Sequence, residues 1–200
     1  IYKNNTKKMK KTIFLAISSL VILACNSPKS NPKQVKNENP ILQEWDTPFG
    51  LPPFDKIKSE DYLPAFTTAI AEHKTEIETI IANEEPPTFA NTIEALEFAG
   101  SQLTKVSSLF SCVEAANTDS ILKETNSQLA PILSSHYDNI MLNEKLFNRI
   151  KTVYNQKDSL NLDAIESFLL EETYKKFTRS GINLKGIDKE RLKATTNLMD

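Results

Sequence analysis

Pro86-Pro87 constrains this chain more than any other pair of residues. Two consecutive prolines remove two backbone donors and fix two φ angles, so no regular helix runs through them. On both sides of the pair, apolar residues recur at steps of three and four, the period of an amphipathic helix. The chain is therefore expected to be all-α, built from helices that stop at defined points and pack through one apolar stripe each.

Upstream of the prolines, the spacing predicts a first helix over residues 61–82. Its inward stripe reads Leu63, Phe66, Ile70, His73, Ile77, Ile80 and Ile81. Pro64 must fall in the first turn, where its missing N–H has no intrahelical acceptor to lose, which makes Asp61 the N-cap. Asn83 closes the helix ahead of the prolines. Downstream, Asn91 with Glu94 three residues on reads as a capping box. It would open one long helix to about residue 117, with Ile93, Leu96, Gly100, Leu103, Val106, Phe110 and Val113 inward. Gly100 weakens that helix and marks close approach of a neighbour. Cys112 reads as a small buried hydrophobe, because no base stands near enough in sequence to activate it.

A third helix is expected over 119–141, with Ile121, Leu122, Leu129, Ile132, Leu133, His136, Tyr137 and Ile140 inward and Pro131 kinking it. A fourth covers 143–155, carrying Leu146, Phe147, Ile150, Val153 and Tyr154. A fifth runs from the Asp163/Glu166 cap pair to about residue 180, where Gly181 stops it. A sixth opens at Asp188, with Leu192 and Leu198 inward, and is cut at Asp200 in mid-stripe. The segment 40–53 reads as extended, its Trp45, Phe49 and Leu51, with Phe54 just beyond, anchored in the domain surface.

Chemistry is sparse. His73 reads as a core-edge histidine with no ligand partner in sequence. His136 and Asp138 point apart on one helix, so they do not form a catalytic pair. No catalytic residue and no metal ligand is assigned. Four glycines in 200 residues leave no phosphate-cradling loop. Five lysines (Lys3, Lys7, Lys8, Lys10 and Lys11) and no acid occupy residues 1–24; without them 19 basic residues face 26 acidic ones, a formal charge of −7. An acidic helical body without a basic stripe excludes nucleic acid as a partner.

Residues 1–24 read as a signal peptide with its natural start at Met9. Lys10 and Lys11 precede an apolar run over residues 13–24 that is too short to span a membrane comfortably. The run ends Leu23-Ala24-Cys25, which resembles a bacterial lipobox. That resemblance implies cleavage before Cys25 and lipid on its sulfur, with more than one acyl chain needed for firm anchoring. Asn26 and Ser27 follow, with no aspartate beside the cysteine, which points to the periplasmic face of the outer membrane. Residues 25–39 are rich in Asn, Pro, Ser and Lys and form a tether that cannot bury enough surface to fold.

The helical region, residues 40–200, carries five stretches in order: PFGLPPFDKIKSEDYLPAF, PPTFANTIEALEFAG, LFSCVEAANT, LNEKLFNRIKTVYNQ and FTRSGINLKGIDKERLK. Together they resemble the N-terminal region of the zinc metallopeptidases that include thimet oligopeptidase, oligopeptidase A and peptidyl-dipeptidase (dipeptidyl carboxypeptidase). The resemblance implies the N-terminal helical part of a two-lobed, channel-containing enzyme, truncated here at its C-terminus. It also implies a Zn cofactor held on an H-E-x-x-H helix, short peptides as substrates, and a role for these helices as one wall of the channel. This chain has two histidines and no H-E-x-x-H, so no zinc ligand is carried onto it. The site prediction is confined to lipidation at Cys25. The expected whole is a monomeric, lipid-anchored peptidase. The alternative is a stand-alone helical lipoprotein that binds a partner without catalysis.

Overall fold

The computed structural model describes residues 39–184, which fall within one compact unit, Asn37–Asp200. The expected signal peptide, Cys25, tether residues 25–38 and sixth helix from Asp188 lie outside the described residues. Among the described residues there is no strand. The helices are α1 (Tyr62–Ala82), α2 (Ala95–Phe98), α3 (Ser101–Asn117), α4 (Ser120–Met141), α5 (Glu144–Asn155) and α6 (Ala164–Arg179). The expected cap holds at Asp163 but not at Asp61, which makes no side-chain bond to the N–H groups of α1; its carboxylate accepts the Lys58 N–H at 2.8 Å and closes a 3₁₀ turn, Ser59–Asp61, ahead of the helix. The side chains of Asp119 and Asn143 also accept backbone N–H bonds, at the starts of α4 and α5. Asp163 and Glu166 complete a reciprocal box. Pro131 sits inside α4, which continues beyond it. Gly181, at φ 87°, follows the end of α6.

The region after the double proline departs from expectation. The cap is Thr88, not Asn91: the Asn91 N–H donates to Thr88 Oγ1 at 3.1 Å, and the Thr88 N–H donates to Asn91 Oδ1 at 2.8 Å. Asn91 thus closes the box instead of opening it. A wide π-turn, Phe89–Glu94, leads into the short α2. The long helix does not continue. Ala99 is extended, and Gly100 takes φ 77° before α3 begins. The stripe is periodic across residues 93–113, yet the backbone turns at its one glycine.

Two apolar cores result. The first gathers Tyr62, Phe66 and Ala69 of α1, Leu103, Val106 and Phe110 of α3, and Leu122 and Leu129 of α4. The Tyr62 and Phe66 rings each meet Phe110 edge-on, at 5.2 and 5.5 Å. Burial first, and then Asp61, pushes the Tyr62 hydroxyl up to about 12. The second core gathers Ile77 and Ile80 of α1, Ile93 of the π-turn, Ile140 of α4, and the inner faces of α5 and α6. There Tyr154 and Tyr174 stack at 3.9 Å.

The N-terminal strap, residues 39–45, is anchored by an unexpected residue. Ile41 is fully buried, whereas Phe49, Leu51 and Phe54 are 98%, 55% and 57% exposed. Phe49 adopts φ 64° in a short 3₁₀ turn that turns its ring away from the core. The strap is bound from α3: Gln102 Nε2 donates to the Leu42 carbonyl at 3.0 Å, and Lys105 Nζ donates to the Gln43 carbonyl at 2.7 Å. Lys105 also sits 4.1 Å over the half-buried Trp45 ring, a cation–π contact. Other inward expectations were too wide. Ile121, Ile132 and Tyr137 are exposed, because α4 buries only the narrower stripe of Leu122, Thr125, Leu129, His136 and Ile140. Cys112 is exposed as well; it stands two positions past Phe110, outside the face that α3 turns to α1.

Candidate functional site

A cleft of about 650 Å³ opens beside the α2–α3 junction. His73, Gly100 and Tyr137 form one side of it; Leu169, Glu172 and Lys176 of α6 contribute to the other. Its lining mixes apolar surface with hydroxyls and both signs of charge. That suits contact with an extended polar chain better than enclosure of a small apolar molecule.

His73 lines the cleft and is paired, behind it, with His136. His136 Nε2 and His73 Nδ1 lie 3.0 Å apart, and the rings meet edge-on at 4.9 Å and 67°. Both residues are 8% exposed. One imidazole must donate and the other accept, so both are neutral when the bond is made in this form. The Tyr137 ring lies 5.4 Å from His136 and 6.4 Å from His73. Burial lowers the His73 pKa below its ordinary value, partly opposed by Glu76. Burial lowers His136 too, and His73 and Lys74 add to the effect.

Gly100 is gripped from α1. Its N–H donates to Glu76 Oε2 at 2.7 Å, and a Cβ built on it would stand 2.8 Å from His73 Nδ1 and Cε1. His73 and Glu76 lie one turn apart on one face of α1, and together they hold the bend that splits the expected long helix. The close neighbour foreseen at Gly100 is therefore the His73 ring.

A second buried polar centre lies on α5. Arg149 is 9% exposed. It donates to the Asn83 carbonyl at 2.7 Å, the Glu85 carbonyl at 3.4 Å and Asn91 Oδ1 at 3.1 Å. Asn91 in turn donates to the Pro86 carbonyl at 3.0 Å. The double proline leaves carbonyls that no helix satisfies, and one guanidinium fork gathers them.

Two of the histidine readings hold: His73 is buried at the edge of a core, and His136 pairs with a residue other than Asp138. The sequence reading missed that the two histidines, 63 positions apart, meet each other. A signal existed, since each occupies the inward stripe of its own helix. The pair does not fit a zinc site. Zinc needs lone pairs converging with further donors in a tetrahedron, whereas these two nitrogens face one another. Among the described residues no group of three ligating side chains comes together, and no helix is long and apolar enough to cross a membrane.

No family model matches the chain. Individual proteins do. The chain is 36% identical over 155 residues to dipeptidyl carboxypeptidase of Escherichia coli (strain K12), covering 78% of this chain and 23% of that protein. Dipeptidyl carboxypeptidase of Salmonella typhimurium gives the same identity and coverage. Oligopeptidase A of Salmonella typhimurium is 28% identical over 146 residues, 73% of this chain and 21% of its own length. The chain thus spans less than a quarter of each of these relatives.

Proposed function

Since this chain is related to one segment of the dipeptidyl carboxypeptidase and oligopeptidase A family, we propose that it forms the N-terminal helical part of a peptidase that hydrolyses short peptides. The observation that carries this reading is the 36% identity sustained over 155 residues. In the proposal, the helices form one wall of a substrate channel, and the mixed lining of the cleft beside Gly100 is suited to extended peptide. The enzyme is zinc-dependent and a monomer, with its zinc held by parts of the polypeptide outside these 200 residues. His73 and His136 do not take part in metal binding.

An antibody against residues 49–117 tests the proposal on whole cells. The expected result is a band several times heavier than the 22.6 kDa of this chain, containing zinc and releasing C-terminal dipeptides from short peptides. A zinc-free band at or below 22.6 kDa would overturn the reading in favour of a stand-alone helical binding module.

The second element of the proposal is a lipid anchor at Cys25, holding the protein on the periplasmic side of the outer membrane. It rests on the apolar run and the Leu23-Ala24-Cys25 ending. Replacing Cys25 with serine is expected to abolish incorporation of labelled palmitate and to release the protein from the membrane fraction, since the sulfur that bears the lipid is gone. Undiminished labelling of Cys25→Ser would rule out the anchor at this residue.

A further inference from the structure

Three segments cross between the two apolar cores, and each crosses at a residue of the same small group. Helix α1 contributes Ala69 to one core and Ile77 to the other, with His73 between. Helix α4 contributes Leu129 and Ile140, with His136 between. The α2–α3 bend passes from Leu96 to Leu103 through Gly100. Aliphatic side chains at these places would fuse the cores. Instead the seam holds the Gly100–Glu76 hydrogen bond of 2.7 Å and an imidazole–imidazole hydrogen bond of 3.0 Å, and the existence of the second depends on imidazole protonation.

We infer that the His73–His136 contact is a proton-sensitive latch: it closes α4 onto α1 and the Gly100 bend while a lone pair remains between the rings, and releases them when both rings are charged. With both rings neutral, one N–H donates to the other's lone pair. A first proton leaves the bond intact, because an imidazolium still donates to a neutral partner. A second proton puts two N–H groups and two like charges face to face in a buried seam, and no bond survives.

The surroundings bear unequally on the two rings. On α1, Glu76 favours charge on His73, while Lys74 opposes it on His136. Lys74 and Glu78 flank the outer side of His136. Tyr137 adjoins both rings. Across the cleft stand Glu97 of α2 and Glu172, Lys176 and Arg179 of α6. The pair therefore takes up its protons in two steps that belong to both rings, and the second step governs release. Both folded-state pKa values lie below the ordinary 6.5. The unfolded chain then binds more protons than the folded one below that pH. The latch's contribution is complete above 6.5 and is lost as pH falls through the lowered values. The latch belongs to the helices themselves and stands independently of peptidase activity.

The chain has only two histidines, so their ring-proton NMR signals report the latch directly. In the 200-residue chain the two rings are expected to titrate in two separate steps below 6.5. Amide exchange at the α1–α4 seam and at Gly100, corrected for intrinsic rate, should quicken by about tenfold between pH 7.5 and pH 5. The α5 amides should lag behind. The His73→Gln/His136→Gln variant should show less than about a twofold change, because neither position titrates. Independent single-proton titrations near 6.5, or seam exchange that does not quicken with acid, would overturn the inference. If the variant fails to fold, the wild-type titration and exchange data decide the matter alone.

Discussion

Arg149→Ala is expected to destabilise the fold by about 3 kcal/mol, because hydrogen bonds from a charged donor contribute about 1.5–3 kcal/mol each and three of them are lost from part-buried positions. Three acceptors depend on this side chain: the carbonyls of Asn83 and Glu85, and Asn91 Oδ1. The first two close the turn after α1; the third closes the Thr88 cap. Losing the guanidinium therefore loosens the double-proline connection at both ends. Arg149→Lys should recover less than half of the loss, since a single ammonium cannot reproduce the planar fork. Urea unfolding monitored by circular dichroism measures both values. A loss under about 1 kcal/mol for Arg149→Ala would mean that water replaces the fork at little cost.

Gly100→Ala should cost a similar amount for two separable reasons. A left-handed backbone costs an L-residue about 1–2 kcal/mol, and Gly100 stands at φ 77°. The new Cβ would also meet the His73 ring at 2.8 Å, and that ring is held in place by His136. Overpacking of this kind adds about 1–3 kcal/mol. Only the steric part depends on His73. In a His73→Ala background, Gly100→Ala should therefore be milder by about 1 kcal/mol or more, a coupling that a double-mutant cycle isolates. Strict additivity of the two changes would show that the ring yields freely.

The legible parts of the fold were those written locally. Pro64 placed the start of α1 and Asn83 its end, although Asp61 makes no capping bond there. Asp119, Asn143 and Asp163 opened α4, α5 and α6 as caps should. Where tertiary contacts decided, the sequence was silent or misleading. Asn91 has a capping side chain and a glutamate three residues on, yet the Arg149 fork takes its oxygen from across the chain. The apolar stripe through Gly100 runs unbroken, and only the His73 ring and the Glu76 carboxylate explain why the backbone bends there. Phe49 and Phe54 have the composition of anchors, but Ile41 fills the core in their place. The histidine pair needed two helices brought together, which no spacing within either helix encodes.

The strap that begins at Asn39 also has a mechanical meaning. Tension entering at Asn39 is shared at once with the start of α1, because Asn39 Nδ2 donates to the Asp61 carbonyl at 2.7 Å. The strap's bonds to α3 come from the Gln102 and Lys105 side chains, not from a backbone ladder. They face the load one after another and so peel in turn, without shearing as a block. Ile41 sits in its socket among the residues of the first core, behind the Asn39–Asp61 bond in the path of the load. The strap is thus a graded link, its single contacts loaded in sequence from Asn39 inward.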